Sequence, residues 1–323
     1  MSKNRKDDHI NIAKSFKKKS NMFDKILLEG TDLPDLSMDD IDLSTEFLGM
    51  KVPYPFYINA MTGGSEKAHK INEFLSKIAD HFNLPMVTGS QSIMFKDPSS
   101  IDSFKVIRNN HKGIIVGNIN PNMTLEQAQV AVSTIQANAL SIHLNVIQEL
   151  VMNEGDRDFR LWSNHIESVV KHLNKPVIVK QVGLGLSLKT IQKIKTLGVK
   201  YIDVSGSGGT SFIDIESTRS AKDYSYLNDF SIDTAQALIN LKNEKDLEIY
   251  ASGGIRHPLD VIKSLILGAK ACGLSKWFLD LTDLEFAAAV KKVEEFIEDL
   301  KKIMLILGVS SLKDLKQVTY NIV

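Results

Sequence analysis

The sequence contains very little cysteine, no excess of charge of either sign and no long apolar run. One cysteine, Cys272, in 323 residues excludes an internal disulfide framework and is typical of a protein in a reducing compartment. Thirty-nine basic and thirty-nine acidic residues give a formal net charge of zero, so the charge balance does not indicate a nucleic-acid partner. No apolar stretch approaches the ~20 residues that a membrane helix needs, so no membrane partner is expected.

Signals for export and for division into two domains are also missing. The N-terminus is polar and charged, without the apolar core of a signal peptide, and we therefore expect a cytoplasmic protein. No low-complexity segment or linker separates two halves of the chain. We expect residues 1–50 to form an N-terminal extension that contributes to a substrate site, and residues 51–323 to form a single domain.

Short apolar runs alternate with longer amphipathic segments along most of the chain. The runs lie at residues 56–59, 86–88, 113–118, 139–144, 177–182, 201–205, 248–252 and 271–274. Helical periodicity occupies residues 65–81, 125–138, 159–173, 188–197, 233–241 and 258–267, and residues 280–306 predict a long helix that closes the C-terminal end. Eight strand–helix units over roughly 250 residues predict an α/β fold, a (β/α)8 TIM barrel, with a doubly wound sheet as the alternative.

Polar residues or glycine follow nearly every predicted strand, where a parallel barrel carries its working residues. After the seventh strand, Gly253 and Gly254 let a ligand approach the backbone, and Pro258 begins a helix whose N-terminus favours an anion. Ser275 and Lys276 follow the eighth strand, a common phosphate position in such barrels. The pattern favours a flat phosphorylated cofactor across the barrel mouth, and FMN fits that description.

Two further features lie on the strand ends and loops. Lys180 ends an apolar strand, where its cation suits either a reduced flavin or a Schiff base with a carbonyl substrate. The Gly/Ser-rich segment at residues 205–220 shows no helical pattern before about Asp233, so we expect a functional loop or lid there.

Two polar groups suggest a metal and a diphosphate. His143 and Asn145 share a face, with Gln148 and Glu149 just beyond. One carboxylate does not make an all-protein metal cage, although it can hold Mg²⁺ together with substrate phosphates and water; the alternative is a solvated acid. At the front of the chain Arg5, Lys6 and His9 form either a charged tail or a clamp for a diphosphate.

With these residues in view, the chain resembles the type 2 isopentenyl diphosphate isomerases, a family of FMN-dependent barrel enzymes. The resemblance runs from Arg5 to the eighth strand, and its ordered motifs are RKDDH, NAMTGG, TGSQS, GNI, HLNVIQE, EGDRDF, VIVKQVGLG, SGSGGTSFIDIE and SGGIRHPLD. Each motif is short, but the ordered set is specific. Phe212 is a small departure, because some relatives carry tryptophan there, and Ser275-Lys276 is less typical of the family.

The resemblance implies a redox-neutral allylic proton shift between isopentenyl diphosphate and dimethylallyl diphosphate, with reduced FMN, NADPH as the reductant, and Mg²⁺. It implies catalytic roles for Gln148, His143 and Lys180, and a metal-ligating role for Glu149. The implied FMN contacts are Ala60, Met61, Thr62, Ser90, Asn118, Lys180, Ser205, Thr210, Gly253, Gly254, Arg256, Ser275 and Lys276. The implied substrate contacts are Arg5, Lys6, His9, Ser92, His143, Asn145 and Gln148. We also expect a homo-oligomer, a tetramer or an octamer.

Other functions remain open from the residues alone. An FMN-dependent oxidoreductase of the hydroxy-acid oxidase or inosine monophosphate dehydrogenase kind would share the barrel and the phosphate site. The latter needs a cysteine nucleophile on a loop, whereas Cys272 lies in a predicted strand. A Schiff-base aldolase would use Lys180 covalently without a flavin. A flavin-binding barrel without turnover would leave the substrate residues unexplained.

Overall fold

The computed structural model describes residues 5–15 and 20–323, apart from the side chain of Arg5. The α-helices of the described residues are α1 (Arg5–Ser15), α2 (Glu66–Phe82), α3 (Asp102–Asn110), α4 (Leu125–Thr134), α5 (Val146–Val151), α6 (Trp162–His172), α7 (Leu188–Thr196), α8 (Phe212–Ser220), α9 (Thr234–Asn240), α10 (Pro258–Ile266), α11 (Lys276–Leu281) and α12 (Phe286–Ile306). The strands of the same part of the chain are β1 (Ile26–Leu28), β2 (Thr45–Phe47), β3 (Met50–Val52), β4 (Phe56–Ile58), β5 (Met86–Val87), β6 (Ile115–Ile119), β7 (Ala139–Leu144), β8 (Val177–Gln181), β9 (Tyr201–Asp203), β10 (Glu248–Ser252), β11 (Cys272–Leu274) and β12 (Tyr320–Ile322).

Eight parallel strands, β4 to β11, close into a barrel in chain order. β11 pairs with β4, so the sheet has no free edge. Every apolar run predicted as a strand overlaps one of these eight strands, and amphipathic helices follow them with one face buried. The predicted (β/α)8 TIM barrel is therefore confirmed, and the doubly wound sheet is excluded.

An apolar cluster fills the lower part of the barrel interior. It combines inward-facing strand residues, such as Val116 and Ile178, with Phe47 from the β2–β3 hairpin. The Phe47 ring lies 4.9 Å from the rings of both Tyr57 and Tyr250, measured between centroids. The hairpin thus closes one end of the barrel, and the carboxyl ends of the strands form the mouth at the other.

The N-terminal extension pairs with the C-terminal segment outside the barrel. β1 pairs antiparallel with β12, which joins the N-terminal extension to the C-terminal end. The helix predicted at residues 280–306 is divided between α11 and α12. The backbone of Glu285 is extended, which separates the two helices, and α12 begins at Phe286. Within the described residues, no helix has the length and apolar character required to cross a bilayer.

Candidate active site at the barrel mouth

A cavity of about 750 Å³ opens at the carboxyl ends of the barrel strands. Its volume lies within the range of about 300–1,000 Å³ that is usual for small-molecule sites. Residues from the strand ends, from the loops beyond them and from helix α1 line it. The cavity is therefore shared between the barrel and the N-terminal extension.

The inward-facing residues change from apolar to polar along the strands. Val116 and Ile178 belong to the apolar cluster at the closed end of the barrel. Because side chains alternate between the two faces of a strand, the next inward-facing residues are Asn118 and Lys180, both buried. The same alternation on neighbouring strands brings hydrogen-bonding groups together just below the mouth.

His143 is neutral and presents one nitrogen lone pair. Asn118 Nδ2 donates to Thr88 O over 3.1 Å, so its Oδ1 faces the histidine and accepts from His143 Nδ1 over 3.0 Å. The proton therefore lies on Nδ1, and Nε2 is left as an acceptor. Burial, with a smaller contribution from the Lys180 charge, lowers the pKa of His143 to about 3.

Lys180 is buried at the end of β8 with 5% of its surface exposed. Its Nζ donates to the Gln181 carbonyl oxygen over 2.6 Å and to Ser205 Oγ over 3.5 Å. Burial lowers the pKa of Lys180, and the negative charge of Asp203 opposes that shift. The Lys180 ammonium group is thus fixed in the cavity wall by hydrogen bonds, and it is not a solvated surface group.

The loops after β9 and β10 meet backbone to backbone. A methyl group on Gly253 would lie 2.0 Å from the Gly206 carbonyl oxygen, and one on Gly209 would lie 2.6 Å from the Gly254 nitrogen. Gly253 has φ 88° and Gly254 has φ 71°, in the left-handed region that favours glycine. This part of the cavity wall consists largely of peptide backbone, which suits a phosphate group.

Both cations on this side of the cavity are paired with carboxylates. Arg256 donates to Asp24 over 2.5 Å and to Asp260 over 2.9 Å. Lys276 Nζ donates to Asp280 over 2.7 Å. Asp24 belongs to the N-terminal extension, so that extension contacts the phosphate side of the cavity as well as its mouth.

Glu149 is a buried carboxylate at the start of α5. Asn145 Nδ2 donates to one carboxylate oxygen over 2.7 Å, and the Asp156 nitrogen donates to the other over 2.9 Å. No cluster of three or more histidine, cysteine, aspartate or glutamate side chains suited to a metal occurs in the described ranges. Glu149 can provide one hard oxygen ligand, and the remaining ligands would come from substrate and water.

Helix α1 lies over the mouth of the barrel and contacts α2, α8 and α11. Its residue Ile10 is buried, and its Asp7 accepts a hydrogen bond from Ser65 Oγ over 2.7 Å. His9 Nε2 lies 2.8 Å from a carboxylate oxygen of the buried Glu216 on α8. Burial lowers the pKa of His9, and Glu216 opposes that shift.

The prediction that residues 205–220 contain no helix is wrong, because α8 covers Phe212–Ser220. Ser211 caps this helix by accepting a hydrogen bond from the Asp214 nitrogen over 3.1 Å. Ile213, Ile215 and Glu216 are all buried, so the helix lacks the one-sided apolar pattern that would predict it.

The cavity brings together twenty of the predicted site residues. They are Lys6, His9, Ala60, Met61, Thr62, Ser90, Ser92, Asn118, His143, Asn145, Gln148, Glu149, Lys180, Ser205, Thr210, Gly253, Gly254, Arg256, Ser275 and Lys276. Arg5 begins α1, and its side chain is outside the described residues. Which of these residues contact a cofactor or a substrate stays a prediction.

Several polar residues in and around the site are not indicated by any pattern in the sequence. Asp156 and Asn122 line the cavity near Glu149 and share a hydrogen bond of 2.5 Å. Glu216 and Asp203 are buried carboxylates on α8 and β9. Asp156 and Glu216 lie inside motifs of the family resemblance, and this position is a signal that could have identified them as site residues. Asn122 and Asp203 lie outside these motifs and have no such signal.

The residues present fit FMN. Thr62 and Asn145 line the cavity. Their Oγ1 and Oδ1 atoms are buried and have no hydrogen-bond partner among the residues that the structure describes. Such atoms are rare unless a ligand or water satisfies them. A backbone wall of glycines suits the phosphate, and the polar layer with the Lys180 cation suits the polar edge of a flavin ring.

Comparison with known proteins identifies a flavin family and a set of named relatives. Residues 107–321 match the family model described as FMN-dependent dehydrogenase. An isopentenyl-diphosphate delta-isomerase of Streptococcus mutans is 44% identical over 319 residues, which cover 98% of this chain and 96% of the relative. Isopentenyl-diphosphate delta-isomerases of Latilactobacillus sakei and Staphylococcus epidermidis are 44% and 41% identical, and each alignment covers 97% of this chain and 91% of the relative.

Solved structures share the fold at low sequence identity. A flavocytochrome b2 mutant with benzoylformate has a TM-score of 0.71 and 19% identity, covering 97% of this chain and 82% of that one. A mandelate oxidase mutant with an FMN adduct has a TM-score of 0.66 and 13% identity, covering 98% and 92%. At these identities the likeness shows a common barrel and leaves the reaction open.

Proposed function

The chain belongs to the FMN-dependent dehydrogenase family and to the isopentenyl-diphosphate delta-isomerases, and we propose that it interconverts isopentenyl and dimethylallyl diphosphate using reduced FMN and Mg²⁺. It is an enzyme, an FMN-dependent isopentenyl-diphosphate isomerase. The observation that best supports the detailed proposal is the lining of one cavity. The barrel contributes polar side chains and glycine backbone that suit FMN, and α1 contributes the basic residues Lys6 and His9.

In the proposed arrangement the barrel mouth would hold FMN. The glycine loops after β9 and β10 would bind its phosphate, together with Arg256, Ser275 and Lys276. The residues that would contact its ring are Ala60, Met61, Thr62, Ser90, Asn118, Lys180, Ser205 and Thr210. The chemistry that bound reduced FMN supplies is proton transfer to and from the carbon atoms of the alkene.

The reaction adds a proton at the terminal carbon C4 and removes a different proton from C2. The double bond moves by one position, and no electrons are gained or lost. We propose that Arg5, Lys6 and His9 hold the diphosphate, assisted by Ser92 and Asn145, and that Glu149 would be the protein ligand of Mg²⁺. Holding the diphosphate fixes C2 and C4 at one place in the cavity.

Neutral polar groups suit a transition state with carbocation character. Because His143 has a pKa of about 3, it adds no positive charge beside the reacting carbon atoms at neutral pH. His143 and Gln148 both line the cavity. We assign His143 and Gln148 to orienting the alkene and the transferred proton, and Lys180 to balancing negative charge on the cofactor.

The remaining parts of the proposal concern the setting of the enzyme. NADPH would reduce FMN before turnover, and the protein would act in the cytoplasm as a homo-oligomer, a tetramer or an octamer. Residues 1–50 would form an extension that completes the substrate site, and residues 51–323 the FMN-binding barrel. Contacts of Lys6 and Asp24 with the two sides of the cavity support this division.

An anaerobic assay tests the proposed function. Purified protein with FMN, NADPH, Mg²⁺ and isopentenyl diphosphate is expected to form dimethylallyl diphosphate, and a 2-hydroxy acid is expected to leave bound flavin oxidised. Reduction of the flavin by the hydroxy acid without isomerisation would favour the oxidase reaction of the structural neighbours. Borohydride trapping of a carbonyl substrate on Lys180, in protein free of flavin, would favour an aldolase.

A further inference from the structure

Asp203 is a buried carboxylate just below the cavity, and the proposed reaction gives it no role. It ends β9 and is 1% exposed. Lys180 on β8 is its partner in the strand register, so the two side chains project to the same side of adjacent parallel strands. A carboxylate and an ammonium group therefore share the barrel interior out of contact with bulk water.

Four neutral donors hold Asp203 in position. Ser252 Oγ lies 2.8 Å from both carboxylate oxygens, and Tyr57 OH donates over 3.1 Å. Asn59 Nδ2 donates over 3.3 Å, and the Ser205 nitrogen donates over 3.0 Å. Tyr57 and Ser252 lie in barrel strands, and Asn59 and Ser205 lie just beyond the ends of β4 and β9. Together these donors occupy the acceptor positions of the carboxylate.

The same hydrogen bonds determine the cavity wall. Asn59, Ser205 and Ser252 all line the cavity, so Asp203 contacts three wall residues from below. Ser205 has φ 40°, a left-handed conformation that costs free energy for a residue with a side chain. The bond from its nitrogen to Asp203 helps to hold that conformation, which also brings Ser205 Oγ to Lys180.

Asp203 also supplies the opposite charge near Lys180. His143 on β7 is neutral because its pKa is about 3. Tyr57 on β4 is neutral because burial and the Asp203 charge raise its pKa well above the usual value. Lys6 on α1 adds a like charge above His143. The carboxylate whose charge acts on Lys180 is Asp203.

We propose that Asp203 is a positioning residue whose fixed carboxylate balances the buried charge of Lys180 and, through Asn59, Ser205 and Ser252, sets the polar wall against which FMN lies. The proposal rests on the proposed function, because it takes Lys180 to be a contact of bound FMN. Its charge-pairing part concerns the protein alone and is tested without FMN.

A double-mutant cycle measures the pairing. Denaturation midpoints at pH 8 are compared for the FMN-free wild type, Lys180→Met, Asp203→Asn and the double variant. Lys180→Met leaves a buried carboxylate without its counter-charge, so we expect a lowered midpoint that Asp203→Asn partly restores. Lys263, the other buried lysine of the described residues, donates instead to the Phe23 carbonyl oxygen. Lys263→Met is the matched control, and Asp203→Asn should not restore it. Additive losses in the cycle would overturn the proposal.

A second measurement needs only variants of Lys180. Lys180→Arg keeps a cation opposite Asp203, so its denaturation midpoint at pH 8 should lie closer to that of the wild type than the Lys180→Met midpoint does. Equal losses in the two variants would contradict the proposal. This comparison does not depend on whether Asp203→Asn folds.

The affinity for reduced FMN distinguishes a positioning role of Asp203 from a purely structural one. Asp203→Asn should favour loss of the Lys180 proton, so we expect reduced FMN to bind about tenfold more weakly than to the wild type at pH 9 and nearly normally at pH 6. An equal loss at both pH values would refute the positioning role. If the wild type binds no FMN, the proposed function fails while the cycle still decides the charge pairing.

Discussion

Lys6→Ala is expected to weaken binding of isopentenyl diphosphate without affecting FMN. Lys6 lies in the first turn of α1 and lines the cavity at the mouth, on the side opposite the closed end of the barrel. The phosphate-side wall is supplied by residues after β9 to β11. Loss of the Lys6 ammonium should therefore affect a second anionic group and leave the FMN phosphate contacts intact.

The expected rise in KM corresponds to the loss of one charge-assisted hydrogen bond. A hydrogen bond to a charged group contributes about 1.5–3 kcal/mol. Since about 1.4 kcal/mol corresponds to a factor of ten, Lys6→Ala should raise KM for isopentenyl diphosphate roughly 10- to 150-fold. The value of kcat should change less, because the diphosphate is remote from the carbon atoms that gain and lose protons.

Lys14→Ala is the matched control on the same helix. Lys14 Nζ pairs with Asp283 over 2.5 Å outside the cavity, so its loss should leave KM within about twofold of the wild type, as for an exposed ion pair. Steady-state kinetics and flavin titration of both variants decide the question. An unchanged KM for Lys6→Ala, or an equal rise for Lys14→Ala, would refute a specific diphosphate contact by α1.

Three further predictions concern the metal ligand, the buried histidine and the cysteine. Glu149→Gln should raise the Mg²⁺ concentration needed for half-maximal activity at least about tenfold while FMN titration is unchanged, since one carboxylate ligand is lost; an unchanged Mg²⁺ titration would leave Glu149 a structural acid. The pKa of His143 is lowered in the folded state, so as the pH falls the histidine is protonated first in the unfolded state. The free energy of unfolding should therefore decrease below about pH 6.5, by up to about 1.4 kcal/mol per pH unit. Denaturation of His143→Asn between pH 7 and 4 should show a shallower loss, and an identical slope would contradict this. Burial raises the pKa of the Cys272 thiol, so it should resist a thiol reagent in the folded protein, and Cys272→Ala should keep isomerase activity; loss of activity would revive a cysteine nucleophile.

The barrel could be predicted because its strands carry a local signal. Runs such as residues 177–182 are apolar, bounded by proline or glycine, and repeat eight times with helices between them. Parallel strands with buried faces need this composition, so the pattern specifies the architecture. The rim residues were predictable for the same reason, because a charged residue that ends an apolar barrel strand, such as Lys180, is directed to the mouth of the barrel.

The covering helices could not be predicted from local pattern. α8 buries Ile213, Ile215 and Glu216, which do not form one apolar stripe. α1 is mostly polar, with Ile10 as its buried apolar residue, and Asp7 and His9 hold it through distant partners at the start of α2 and on α8. Both helices depend on tertiary contacts that a sequence pattern does not contain.

The proposed role of Asp203 could not be predicted from the sequence for a related reason. It is one acid at the end of a three-residue strand, and nothing next to it in the sequence marks it as buried. Its donors Tyr57 and Ser252 lie 146 and 49 residues away along the chain. The closed barrel brings them together, so the network becomes visible only once the strand register is known.

The stoichiometry of NADPH and product distinguishes a redox-neutral isomerisation from a net oxidation or reduction. In the proposed reaction the barrel mouth performs a proton shift with no net redox change. Under anaerobic conditions with FMN, Mg²⁺ and excess isopentenyl diphosphate, a single reduction by NADPH should support many molecules of dimethylallyl diphosphate per flavin. One NADPH consumed for each product molecule, or no dimethylallyl diphosphate from fully reduced protein, would contradict it.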